Sequence, residues 1–274
     1  MLNKNEYSFV YQHAYLPEHL PEHGEAISGT KSYLLDNYLC YFCKKHLIFI
    51  GYPLGIGTGD TSLVFQSACE RFNPSTIAII APERWHEEKP VDWQPDDYYY
   101  KLDLPLEKPD PEASYMIRRA RKELQVNEGK FKKEHKKIIK EFIAQHRFSK
   151  EQIHVFKKIP RYLKNSLTAR IIEAKYGGEI AAFSIVDLGS SDYAFYLFNF
   201  RSKAINIPGA SDLLFWEMLL LAQSGGKKAV NLGLGINDGI RRFKEKWGGR
   251  PFLPYTTDMM NAKPFDLGDL AKKL

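Results

Sequence analysis

The sequence predicts an α/β (α+β) chain organised as two similar halves with mixed sheets, and three observations carry that expectation. A strand, a glycine-containing loop, a helix and a second strand follow one another between His46 and Ile80, and the same order returns around Asn206 to Leu232. A proline-rich stretch of mixed charge, WHEEKPVDWQPDDYYYKLDLPLEKPDPEAS, stands between the two. The 274 residues, 44% hydrophobic and 14% aromatic, supply a core for one large domain or two small ones and exclude a disordered chain.

The first half opens with three runs of strand character, Tyr7 to Tyr11, Tyr33 to Cys43 and His46 to Tyr52, the last leading into PLGIGTGDT. Ser62 to Phe72 has helical character, and Thr76 to Ile80 is a short apolar strand. Gly55, Gly57 and Gly59 invite a dinucleotide-binding reading, with Glu83 as the acid for a ribose hydroxyl. The third glycine of G-x-G-x-x-G, however, falls on Asp60, whose charge would repel a pyrophosphate. A methyltransferase-type G-x-G-x-G fits the letters better, although Tyr52, Pro53 and Leu54 stand where its preceding acid belongs. A flexible turn between strand and helix is the plainer alternative. Cys40 and Cys43 have C-x-x-C spacing, yet no second pair follows, and the three cysteines are too few and odd in number for a disulfide framework. Structural thiols in a reducing compartment, with no metal site, are the expectation.

Tyr98 to Leu104 is a strand-like piece of the linker, after which Tyr115 to His146 turns helical. Within Met116 to Lys140 there are ten Lys or Arg, Arg118 and Arg119 among them, against three acids. That excess makes either a basic wall for phosphates or a solvated helix face. Ala169 to Tyr176 and Glu179 to Leu188 predict a hairpin around Gly177-Gly178, followed by a strand from Tyr193 to Phe200. Strict alternation on the last strand would put Tyr193, Phe195, Leu197 and Asn199 on one face and Ala194, Tyr196, Phe198 and Phe200 on the other.

Pro208 and Gly209 put a turn at the start of an apolar helix that Ser211 can cap and Gly225 can close in a left-handed turn. The free N–H groups and helix dipole at such a start favour an anion. A short strand, Lys228 to Leu232, leads through Gly233, Gly235 and Gly239 to a helix with Ile240, Phe243 and Trp247 on one face. Lys244 lies beside that face, where its ordinary explanation is a rim charge snorkelling to water.

Strand, helix-start turn, buried helix, strand and small helix is an order similar to the acyl-CoA-binding half of GNAT N-acyltransferases. NLGLGINDGIRRFKEKWGG resembles the region near the end of Fem-type peptidoglycan aminoacyltransferases and related FemAB-like acyltransferases, and SYMIRRARKELQVNEG resembles the junction that follows their first domain. The resemblance implies two tandem GNAT-like domains, residues 1–110 and residues 111–274, the second preceded by the basic helical segment. It implies that Lys244 steadies charge at a reacting carbonyl and that Tyr196 stands at an aromatic position near the substrate. Asn206, Pro208, Gly209, Ala210 and Ser211 occupy the place of the GNAT pyrophosphate loop. That pattern begins with Arg or Gln and ends with Gly or Ala, so Asn206 and Ser211 both depart from it. Arg118, Arg119, Gly235 and Asn237 complete the set as substrate-binding candidates.

The activity implied is an N-acyltransferase or aminoacyltransferase moving an acyl group from a thioester or ester donor, acyl-CoA or aminoacyl-tRNA, to an amine acceptor, with a cell-wall precursor among the acceptors. No tightly bound cofactor is expected, acyl-CoA entering as co-substrate. The net charge of +6 suits an anionic small-molecule or tRNA donor. MLNKNEYSFVYQH lacks an apolar signal core, and no run approaches the ~18 apolar residues of a membrane helix, so a cytoplasmic location is expected. Asp212, Glu217 and Asp238 lie near the right loops for a base, but no spacing selects one. An S-adenosylmethionine-dependent methyltransferase using the 55–59 glycine loop, and a non-catalytic RNA- or anion-binding protein, both stay open. Replacing Lys244 by Met is expected to leave the melting temperature unchanged and substrate binding near normal, with a large loss of turnover, on the order of a hundredfold.

Overall fold

The computed structural model describes residues 1–55, 60–85 and 93–261. In chain order the described elements are α1 (Lys4–His13), a 3-10 turn (Pro17–His19), α2 (Pro21–Ser28), β1 (Lys31–Leu35), β2 (Tyr38–Cys43), β3 (His46–Ile50), α3 (Thr61–Phe72) and β4 (Thr76–Ala81). They continue as β5 (Asp97–Asp103), α4 (Pro111–Arg121), β6 (Gln125–Gly129), α5 (Lys133–Gln145), α6 (Lys150–Asn165), β7 (Ala169–Tyr176), β8 (Glu179–Asp187), β9 (Tyr193–Arg201), α7 (Ala210–Ser224), β10 (Ala229–Leu234), α8 (Asp238–Lys246) and β11 (Arg250–Asn261).

The strands form a single mixed sheet in the order β1-β2-β3-β4-β11-β5-β10-β9-β8-β7-β6. Its two ends repeat one plan. In each, an antiparallel series leads to a parallel pair joined through a helix, β3 and β4 through α3 and β9 and β10 through α7. A parallel neighbour requires such a crossover, because a tight turn can only return the chain antiparallel. The outer partner of each pair is exchanged: β11 closes on β4, β5 closes on β10, and the two pair with each other in the middle. The sheet is thus mixed, as expected for tandem GNAT-like units.

Burial explains the layering. β8, EIAAFSIVD, is buried at every position but the first, so helices cover both of its faces. On one side α4, α7 and Trp247 pack over Leu102, Ile172, Val186, Val230 and Leu232. On the other, α5 and α6 pack over Ile171, Phe183, Ile185 and Phe200. In the first half α3 puts Val64 and Ala68 over Cys40, Leu47, Phe49, Ile77 and Ile79. Cys40 and Cys43 sit three positions apart on β2 and therefore project from opposite faces. Both are free thiols, and burial pushes that of Cys40 up to about 12.

Several local expectations are corrected. Tyr7 to Tyr11 belongs to helix α1, nucleated by a capping box in which Asn3 and Glu6 each satisfy the other's backbone N–H. Tyr115 to His146 is two helices separated by the edge strand β6, whose hydrogen bonds come from β7. Gly209, at φ +82°, is the N-cap of α7 in place of Ser211, and the left-handed glycine after it is Gly226, not Gly225. Strict alternation on β9 fails because a bulge at Leu197 breaks the register with β8: Tyr196 pairs with Val186 and Phe198 with Ile185. Tyr196 therefore faces the α7 layer with Asn199, whereas Phe198 and Phe200 join the α5–α6 core. Among the described residues no helix is long and apolar enough to cross a membrane.

Candidate active site

The two parallel pairs, alike in plan, differ in closure. β3 and β4 pair from His46–Thr76 to Ile50–Ile80, and the Gly51 N–H extends the ladder to the Ile80 carbonyl. β9 and β10 pair only through Tyr193–Ala229, Ala194–Val230 and Phe195–Asn231. Beyond Phe195 the strands part: β9 from Tyr196 onward stays with β8, and Gly233 and Leu234 of β10 stay with β5. Two local features drive the parting. The Leu197 bulge bends β9, and a second bulge between Asn231 and Gly233 bends β10, where Asn231 Oδ1 accepts from the Gly233 N–H at 2.7 Å.

Helix α8 lies across the opening. Asn237 caps it, accepting from the Ile240 N–H at 3.0 Å, and its two central residues reach the two lips. Phe243 packs on Tyr196 (ring centroids 6.4 Å) and on Phe215 (5.4 Å). Lys244 Nζ donates to the carbonyl of Leu234, the last residue of β10, at 2.5 Å, and sits 5.3 Å from the centre of the Tyr100 ring. Lys244 is only 4% exposed, so the rim position expected for it is corrected to a buried one. Desolvation lowers its ammonium to about 7, against an opposing pull from Asp97.

On the β9 lip the polar groups form one cluster. Asn199 donates to Ser184 Oγ at 2.8 Å and accepts from Ser211 at 2.9 Å, and the Tyr196 ring packs edge-on against Phe215 at 4.9 Å beside them. Burial pushes the Tyr196 phenol upward. Asp212, one residue on, takes Lys246 Nζ at 2.5 Å and the Trp247 indole N–H at 3.2 Å, which ties α7 to α8. Glu217 pairs with Arg121 and Asp238 with Arg241, so all three carboxylates considered as bases are engaged with cations.

The structure thus brings Lys244, Gly235 and Asn237 together at one lip, and Tyr196 and Ser211 at the other. Pro208, Gly209 and Ala210 form the entry to α7, where Gly209 is pressed against α4: a Cβ there would lie 2.3 Å from the Met116 carbonyl oxygen. Asn206 is exposed, and its Oδ1 accepts from the Arg201 guanidinium, which also reaches the Ile207 carbonyl. A basic group therefore serves the loop from the end of β9 instead of from the loop's first position. Arg118 and Arg119 are exposed on α4, and among the described residues neither makes a hydrogen bond or ion pair with the lips. Gly55 adopts φ +70°, while Gly57 and Gly59 lie outside the described residues. Arg201, Asn199, Ser184, Tyr100 and Asp97 escaped the sequence reading. Only Arg201 left a sequence signal, as a cation at a strand end just before the loop.

No protein-family model matches the chain, and no curated protein matches it. Solved structures do. FemX superposes with a TM-score of 0.66 at 13% identity, over 100% of this chain and 98% of that one. L-PGS from Bacillus licheniformis gives 0.59 at 16% identity, over 98% and 94%. A tandem GNAT protein from the clavulanic acid biosynthesis pathway gives 0.50 at 11%, over 84% and 79%. At these identities the likeness is one of fold: the chain has the tandem GNAT-like architecture that FemX, L-PGS and the tandem GNAT protein share.

Proposed function

We propose that this chain is an acyl- or aminoacyltransferase that moves an acyl group from a thioester or ester donor to an amine, with the reaction centre between β9, β10 and α8. The observation that carries the proposal is the parting of β9 from β10 beneath α8, with a buried lysine at one lip. Strand edges that lose each other's hydrogen bonds offer N–H and C=O groups to an extended ligand, much as an edge strand does. The fold shared with FemX, L-PGS and a tandem GNAT protein supports the same class. The opening is specific to the second half, since β3 and β4 remain paired, and this favours the reading over a methyltransferase site beside Gly55.

In this reading the donor's acyl carbon lies at the opening, and the acceptor amine attacks it as the free base. The C–N bond forms as the carbonyl π electrons move onto oxygen. Lys244, as ammonium, donates to that oxyanion from a site largely removed from water, where such a donor is strongest. Collapse expels the thiolate or alkoxide, which takes a proton, and the nitrogen loses one to water. No covalent enzyme intermediate is required. Tyr196, packed against Phe215 and Phe243, forms the wall opposite Lys244, and Arg201 with the 206–211 loop receives the donor's phosphates. A lysine of pKa about 7 demands a descending limb in the pH–rate profile just above neutrality, set against an ascending limb from the acceptor amine.

The test is a thermal-shift screen with acyl-CoAs, an aminoacyl-tRNA, S-adenosylmethionine and uncharged tRNA, followed by turnover assays with amine acceptors. A ligand that binds only the folded state must raise the melting temperature. Stabilisation by an acyl donor, weakened in Tyr196→Phe and followed by Lys244-dependent transfer, is the expected result. Stabilisation by S-adenosylmethionine alone, or by RNA without transfer, would replace the reading.

A further inference from the structure

Among the described residues, buried Lys244 has one carbonyl acceptor and no direct ion pair, which makes its surroundings decisive. The nearest control is the loop at residues 234–237. Its Leu234 carbonyl is the acceptor for the ammonium, and its Ile236 adopts φ +55°, a strained value for a β-branched side chain. What holds the loop there is Asp97, the first residue of β5. Asp97 Oδ2 accepts from the Ile236 N–H at 2.7 Å and Oδ1 from the Tyr98 N–H at 2.7 Å, while the Gly235 N–H reaches the Tyr98 carbonyl at 3.2 Å. The fit is close: a Cβ on Gly235 would lie 2.7 Å from Asp97 Oδ1 and 3.2 Å from the Tyr100 ring.

We propose that Asp97 is a positioning residue for Lys244: its carboxylate clamps the 234–237 loop that presents the Leu234 carbonyl to the buried ammonium, and so places a negative charge at that loop. The proposal rests on Lys244 being the reaction's charge donor. Among the described residues, other charged or titratable groups about Lys244 are few. Tyr100 on β5 offers its ring face and donates its hydroxyl to Glu245 at 3.4 Å, and on α8 Arg241 is engaged by Asp238. Asp97 is the group whose charge acts on the lysine, in the direction that keeps it protonated against burial.

The experiment reads Lys244 directly in the intact protein and needs no substrate. Lysine side chains labelled at Cε and Nζ are titrated by NMR, with the Lys244 resonance assigned by its loss in Lys244→Met. In the wild type the midpoint lies near neutrality. Asp97→Asn keeps an oxygen for the Ile236 N–H but removes the charge, so the midpoint falls to lower pH. Asp97→Ser is the second neutral variant should Asn fail to fold, and Asp97→Glu, which restores the charge, returns the midpoint toward the wild type. A cooperatively folded neutral variant with an unmoved midpoint overturns the proposal, as does an equal fall in Asp97→Glu. Once a substrate is known, the descending limb of turnover moves to lower pH in Asp97→Asn, a displacement that a merely structural role for Asp97 would not produce. Failure of every acyl donor, with the titration as expected, would remove the acyl-transfer reading and leave the coupling intact.

Discussion

Lys244 Nζ and the Leu234 carbonyl oxygen, 2.5 Å apart, join the last residue of β10 to the middle of the helix that follows it. That bond is the lysine's principal compensation for leaving water, and it is incomplete, since an ammonium has three protons to donate.

The first prediction concerns this imbalance. With Lys244 at about 7 in the fold and 10.5 unfolded, the unfolded chain holds the extra proton between those values. Stability therefore rises as pH climbs from about 7 to 10.5, and the burial cost is fully present below 7. Lys244→Met keeps the stem and removes the cost, so the melting temperature at pH 7 should rise rather than stay unchanged, and the gain should fade toward pH 10.5. Turnover should fall about a hundredfold, as for the loss of one oxyanion donor. Denaturant titrations at several pH values and a rate assay check both halves.

Tyr196→Phe tests the opposite lip. It deletes the buried hydroxyl while leaving the ring on Phe215 and Phe243, so the stability loss should not exceed about 1 kcal/mol. Donor binding should weaken more than folding does, which thermal shifts with and without donor would reveal.

Two glycines with similar backbone angles should respond differently to alanine. Gly226, at φ +71°, has nothing within 4 Å of a new Cβ and should lose about 1 kcal/mol from the left-handed backbone alone. Gly209, at φ +82°, faces the Met116 carbonyl as well and should lose about 3 kcal/mol or more. Urea midpoints of the two variants measure the difference.

His19 governs part of the acid behaviour. It is fully buried between the Tyr15 N–H, which bonds to Nδ1 at 3.4 Å, and the Tyr52 carbonyl, 3.1 Å from Nε2. These partners require the neutral ring with its proton on Nε2, and desolvation holds its pKa at about 3. The unfolded chain takes up a proton near 6.5 that the fold refuses, so stability declines as pH falls from 6.5 toward 3. His19→Gln preserves a donor for Tyr52 and should remove about one proton from the slope of stability against pH in that window.

What the sequence determined by itself was whatever depends on near neighbours along the chain. Helix α3, the β7–β8 hairpin at Gly177-Gly178, the buried α7 and the strand–loop–helix order around Asn206 to Leu232 all follow from periodicity and turn residues. Helix α1 is the exception: its aromatic run reads as a strand, and the helix is marked only by the capping box at Asn3 and Glu6. Tertiary structure alone decided the rest. β11, RPFLPYTTDMMN, carries two prolines and no regular alternation, and it is a strand because β5 pairs with its first half and β4 with its second. β6 owes its pairing to β7 in the same way. The parting of β9 from β10 depends on register between strands distant in sequence, which two bulges shift and no single segment encodes. Lys244 looked like a rim charge because an amphipathic helix places its lysines beside its apolar face. Its burial, and the charge of Asp97 upon it, arise only when β5, β10 and α8 converge and exclude water from a position that local sequence leaves exposed.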